Sequence, residues 1–111
     1  MKDRRKTIIQ PETISEAEKI YEYIKTNSPQ NAEKFKQEFL NSVDKVENNP
    51  ELYPPENELN AKRILYRFIL VMKSWKLVYK VTKKLLINVG IVHTSRHPNK
   101  IKKLRTTDYN E

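Results

Sequence analysis

Trp75-Lys76-Leu77-Val78-Tyr79-Lys80-Val81, followed by Thr82-Lys83-Lys84 and then Leu85-Leu86-Ile87-Asn88-Val89-Gly90-Ile91-Val92, is the stretch that decides the fold. In its first part Trp75, Leu77, Tyr79 and Val81 alternate with Lys76, Val78 and Lys80, the signature of a strand with one covered face. Thr82-Lys83-Lys84 reads as a turn. The run from Leu85 is almost wholly apolar, which marks an interior strand covered on both faces or flanked by neighbours. Upstream, Ile64, Tyr66, Phe68, Leu70 and Met72 alternate with Leu65, Arg67, Ile69 and Val71, and Lys73-Ser74 reads as the turn between. Short turns between three strands make an antiparallel meander. The single glycine, Gly90, falls inside a strand, so these hairpins turn without glycine.

Before the meander the period changes to that of helices. Ile14, Ala17, Ile20, Tyr21 and Ile24 recur at three- and four-residue steps behind Thr13-Ile14-Ser15-Glu16, which has the form of a capping box. Ser28 reads as the cap of a second helix with Pro29 in its first turn. Ala32, Phe35, Phe39, Val43 and Val46 run down one face of that helix, with Leu40 beside them, until Asn49-Pro50 stops it. So short a joint makes the helices antiparallel neighbours. Lys6-Thr7-Ile8-Ile9-Gln10 is β-prone and ends at Pro11. Residues 50–60 carry three prolines and three glutamates and read as a loop. The expectation is an α+β fold in the order β-α-α-β-β-β, a helical hairpin packed on a small antiparallel sheet whose other face, with Arg67, Lys76 and Lys80, is open to solvent. A single domain spans 1–111, with a basic tail from about residue 97 that breaks away at His97-Pro98.

Charge is unevenly placed. Residues 61–107 hold thirteen lysines and arginines and no acid, while the first sixty residues hold nine basic and twelve acidic ones. Such a balance suits an anionic partner. The chain has no cysteine and two histidines, which excludes disulfides and thiolate metal sites and argues against a structural zinc site. The N-terminus has charge without an apolar run behind it, so no signal peptide is expected, nor a membrane span; the expected setting is cytoplasmic.

Four short motifs lie in one order. Tyr23-Ile24, Asn27-Ser28-Pro29 and Ala32 form a Tyr-Ile … Ser-Pro … Ala series between the helices. Asn49-Pro50 ends the second helix. Trp75 to Val81 is an aromatic–basic–aliphatic–aliphatic–Tyr–x–Val strand. His93-Thr94-Ser95-Arg96 is a His-x-x-Arg after the last strand. Together, over about residues 5–100, they resemble the RelE/ParE superfamily of bacterial toxins from type II toxin–antitoxin pairs, the plasmid-stabilization group. The resemblance implies a toxin held inactive by a cognate antitoxin, whose binding segment is expected to be acidic and amphipathic, lying across the helices or the open sheet face. RelE-like members cut messenger RNA on the ribosome; ParE-like members poison DNA gyrase and are not nucleases. Fold alone does not choose between them.

Metal-free RNA cleavage needs a base, an acid and cations for the phosphorane. His93 is the candidate acid or base, Glu56 or Glu58 the alternative base, and Arg67 and Lys76 the phosphate-holding cations. Lys80, Arg96, Lys100 and Lys103 are the candidate nucleic-acid contacts, the last two within a basic tail that also includes Lys102 and Arg105. No cofactor is implied. His93 also reads as an inert end to the core-facing side of its strand, after Leu85, Ile87, Val89 and Ile91; Tyr79 and Trp75 also read as core; His97 reads as an exposed surface residue. Thr94 stands where several nuclease members place an aromatic residue, and Lys76 where arginine is common. The first reading is ribosome-dependent mRNA cleavage. The second is gyrase poisoning, and the third a nucleic-acid-binding module without toxicity.

Overall fold

The computed structural model describes residues 5–60, 63, 65–96 and 98–104. The readings made at Ile64, His97 and Arg105 lie outside the described residues. The elements run β1 (Lys6–Ile9), α1 (Pro11–Asn27), α2 (Pro29–Asn48), β2 (Tyr66–Val71), β3 (Trp75–Val81), β4 (Leu85–His93) and a short α3 (Pro98–Lys102). The sheet order is β1-β4-β3-β2. The meander is antiparallel, but β1 pairs parallel with β4, so the sheet is mixed and not wholly antiparallel. A parallel partner for β4 follows from the chain path, because β1 reaches the sheet before the two helices cross over it.

α1 begins earlier than its capping-box pattern suggests. Pro11 takes the first turn, where a missing N–H costs nothing, and Gln10 is the cap residue. Thr13 is therefore not a cap. It is fully buried, and its Oγ1 donates to the Asn88 carbonyl at 3.0 Å, fastening α1 to β4. The second cap is as read: the Ser28 side chain accepts from the Asn31 N–H at 3.2 Å, with Pro29 behind it. Phe35, Phe39 and Val46 of α2 and Ala17 and Ile20 of α1 pack on Ile69, Val71, Leu77 and Tyr79 of the sheet. The Tyr79 hydroxyl donates to the Pro50 carbonyl at 2.6 Å, which pins the end of α2 to the central strands.

The sheet's other face is not open. Val78, Leu85, Ile87 and Val89 are buried there beneath Leu59, Ile101 and Leu104. The supposed tail from residue 97 thus carries α3, whose Ile101 is only 5 % exposed. Gly90 explains itself at this contact. A Cβ on it would stand 2.5 Å from Leu104 Cδ2, so its hydrogen atom makes room for the returning chain. Arg67 is also displaced from the expected face. It pairs with Tyr79, and so projects on the helix side, as Ile69 and Val71 do opposite Leu77 and Trp75.

A β-bulge breaks the alternation of β4. Val78 pairs with Gly90 but Tyr79 pairs with Asn88, leaving Val89 as the extra residue. Leu85, Ile87 and Val89 consequently face α3, whereas Ile91 and His93 face the helices opposite Leu77 and Trp75. The five-residue series from Leu85 to His93 is not one face. The proline-bearing loop covers part of the β2 edge: Glu56 N–H donates to Tyr66 O at 2.8 Å and Phe68 N–H to Pro54 O at 3.0 Å. Proline suits this outer position because it lacks only a donor.

Candidate functional site

Two separate polar centres emerge from these elements. The first lies on the α3 side of the sheet. Lys76 Nζ stands 3.0 Å from Glu56 Oε1 and 4.3 Å from the Phe68 ring centroid. Glu56 is 3 % exposed, and its second oxygen accepts from the Glu58 N–H at 3.3 Å. Glu58 is exposed and stands 4.0 Å from Lys102 Nζ. Lys80 lies on the same face, its Nζ 5.7 Å from the Tyr66 ring centroid. A buried carboxylate is held there by its own cation, and the cation is covered on one side by an aromatic ring.

The second centre is at the strand ends on the helix side. β4 delivers His93 opposite Trp75, and their rings meet edge to face at 5.0 Å and 88°. His93 Nδ1 accepts the Ser95 backbone N–H at 3.1 Å and sits 2.7 Å from Ser95 Oγ. Accepting that N–H fixes the neutral ring as the tautomer with its proton on Nε2. The turn continues with Arg96 N–H donating to His93 O at 3.0 Å, and Thr94 N–H donating to Ser74 O at 2.9 Å ties it to the neighbouring hairpin tip. A cleft of about 910 Å³ opens here, lined by His93, Ser95, Arg96, Lys100 and Trp75 on one side and by Glu16, Lys19, Tyr23 and Asn31 of the helices on the other.

The candidate catalytic set is not brought together. His93 is at one end of the sheet on the helix side. Glu56 and Lys76 are paired on the opposite face. Arg67 is opposite Tyr79, farther along β3, where its Nη1 donates to the Tyr53 carbonyl at 2.6 Å. Of the candidate nucleic-acid contacts, Arg96 and Lys100 join His93 in the cleft, while Lys80 stands over Tyr66 on the sheet face that also carries the buried pair; Lys103 is exposed beyond α3. Sequence reading took Tyr23 only as part of the motif between the helices and gave neither it nor Lys19 a place in a site. Their i, i+4 spacing on α1 was the available signal, since it stacks them on one flank of the helix. Among the described residues no cluster of three or more histidines and carboxylates is placed to hold a metal ion, and no helix is long and apolar enough to cross a membrane.

A third feature is apolar. Ile14, Ala17 and Tyr21 of α1 face Phe35, Phe39 and Leu40 of α2 across a groove of about 520 Å³. Ile14 is 45 % and Leu40 49 % exposed. The Tyr21 hydroxyl donates to Glu33, a bond that joins the two helices and raises the phenol's pKa.

Residues 8–98 match the family model described as ParE toxin of type II toxin–antitoxin system, parDE. A solved structure described as the chromosomal ParDE TA system from P. aeruginosa shares 12 % sequence identity, at a TM-score of 0.66, over 81 % of this chain and 96 % of that one. At that identity the likeness is one of fold. No curated protein matches the sequence.

Proposed function

We propose that this chain, which belongs to the ParE toxin family of type II toxin–antitoxin systems, acts by binding DNA gyrase and not by cutting RNA. Membership makes it the toxin of a pair with a cognate antitoxin. The observation that carries the mechanistic choice is the burial of Glu56 against Lys76, on the sheet face opposite His93. General acid–base cleavage needs both groups within hydrogen-bond reach of one phosphate. Here one carboxylate is neutralised by its own lysine, and the imidazole nitrogen that could act as a base, Nδ1, is occupied by the Ser95 N–H. A protein-binding toxin needs neither group free. The match to a family model described as ParE toxin supports the same choice.

The antitoxin reads best as a helix laid in the groove between α1 and α2. Each buried apolar side chain there is worth about 1.5–3 kcal/mol. Glu18, Glu22 and Lys36 line the groove as well, so apolar burial recommends it more than an acidic segment does.

Inducing the chain in a bacterial host tests the mechanism. Gyrase poisoning predicts stalled replication, an SOS response and gyrase-linked DNA breaks, with messages intact at their 5′ ends. Rapid appearance of new transcript ends inside coding regions, without DNA breaks, would show the ribosome-dependent nuclease instead.

A further inference from the structure

We infer that the cleft between α1 and the turn joining β4 to α3 is the surface that receives the target, and that it takes an acidic peptide segment, with Lys19, Arg96 and Lys100 as the counter-charges. The inference rests on the gyrase reading and goes beyond it by assigning the contact surface.

Three observations converge. First, the cations are available. Arg5, Lys76 and Lys102 each have a glutamate within 4.0 Å, whereas Lys19, Arg96 and Lys100 have no ion pair among the described residues and share one cleft. Arginine adds a planar fork suited to a carboxylate. Second, the floor is fixed in advance. The Trp75–His93 contact, the Ser95 N–H on Nδ1 and the Thr94–Ser74 bond hold two loop tips together. Met72 and Lys73 keep left-handed backbone at φ 53° and 63° in the adjoining tip. Groups held this way lose little freedom on binding.

Third, the surrounding charge selects the class of anion. Glu12 and Glu16 are exposed on α1 and lie across from Arg96 and Lys100. A nucleic-acid strand carries a charge at every nucleotide, so a strand leaving the cleft along this flank of α1 meets both carboxylates. A peptide places one or two carboxylates in the cleft and can follow them with neutral or basic residues. Tyr23, 70 % exposed, supplies an apolar wall for such a neighbour.

The cleft is also separate from the antitoxin groove. α1 buries Thr13, Ala17 and Ile20. Glu16, Lys19 and Tyr23 lie on one flank of that stripe, and Ile14, Glu18 and Tyr21 on the other. Antitoxin binding can therefore report on the fold while target binding is measured.

The experiment compares purified DNA gyrase binding to the wild-type chain, to the Arg96→Glu/Lys100→Glu double variant and to Lys19→Glu alone, with the cognate antitoxin and single-stranded DNA and RNA 20-mers as further probes. The expected result is gyrase binding weakened about tenfold or more by each variant, wild-type binding that falls with added salt, and antitoxin affinity unchanged. If the wild type binds gyrase and neither variant weakens it, this site is wrong while the gyrase reading stands. Should the wild type bind no gyrase, the gyrase reading fails and this assignment with it. Oligonucleotides that bind the wild type and are lost in both variants, with gyrase binding unaltered, would make the cleft a nucleic-acid site and overturn the peptide assignment. Lys19→Glu, an exposed change on a packed helix, keeps the result readable if the double variant loses antitoxin binding by misfolding.

Discussion

Lys76 shows how a residue chosen for chemistry turns out to be held by structure. Its ammonium is the counter-ion of Glu56, whose side chain is 4 % exposed. Removing the lysine leaves a buried carboxylate that, among the described residues, keeps the Glu58 N–H as its hydrogen-bond donor. Lys76→Ala should therefore cost about 3 kcal/mol, the low end of the range for a broken buried pair because the lysine side chain keeps 20 % exposure. Lys76→Met with Glu56→Gln removes both charges and should recover most of that loss. Urea midpoints of the three proteins check it; equal midpoints for wild type and Lys76→Ala would mean the pair contributes nothing. Tyr79 gives a pH prediction. Burial raises its phenol above the ordinary value near 10, against a smaller lowering influence from Arg67. In the unfolded chain the phenol ionises near pH 10. Its contribution is thus fully present below pH 10 and is lost as pH rises beyond it, since only the unfolded chain then gives up the proton. Tyr21, raised by Glu33, acts in the same direction at the surface. Absorbance titration at 295 nm should show a phenolic group that ionises only with unfolding. Tyr79→Phe should remove it, at about 1–2 kcal/mol for the hydrogen bond lost at the Pro50 carbonyl.

At the scale of elements, strain gathers at the β2–β3 tip. Two consecutive non-glycine residues, Met72 and Lys73, have positive φ, each costing about 1–2 kcal/mol. Asn-Gly is the pair that such a turn favours. Met72→Asn with Lys73→Gly should raise Tm by roughly 5 °C, for a net gain of about 1 kcal/mol after glycine's extra freedom in the unfolded chain. A lower Tm would mean that Met72 packing outweighs the backbone relief. The same elements show what was legible in the sequence. Period-two and period-3.6 patterns gave the meander and both helices because each element buries one face, and the Ser28 cap was legible because it is local. The register of β4 was not. The bulge at Val89 depends on pairing with β3, and it turns Ile91 and His93 to the helix side. The Thr13 motif misled because the helix starts three residues earlier, at Pro11, and Thr13 finds a partner on a strand 75 residues away. The α3 cover was hidden because a segment rich in lysine needs only Ile101 and Leu104 to dock.

For the whole molecule, the described residues of the acid-free stretch 61–107 do not form one cationic wall. Lys76 and Lys102 return to Glu56 and Glu58 of the acid-bearing half, Arg67 reaches under the proline loop, and Arg96 and Lys100 gather at the strand ends. Charge asymmetry along the chain is thus partly spent within the fold; Arg96 and Lys100 share the cleft at one end of the sheet, while Lys83 and Lys84 stand exposed at the β3–β4 turn on the other. The helix pair presents a different kind of surface, apolar and open, on the far flank of α1. This division predicts that neutralisation and toxicity respond to different substitutions. Leu40 is 49 % exposed at the groove, so Leu40→Asp should leave stability within about 0.5 kcal/mol. A carboxylate set against the apolar face of an antitoxin helix should weaken that complex about tenfold or more. The chain would then remain toxic in cells where its antitoxin protects against the wild type. Calorimetry of the purified pair and a co-expression growth assay measure the two halves of this claim, and unchanged antitoxin affinity with full protection would place the antitoxin elsewhere on the molecule.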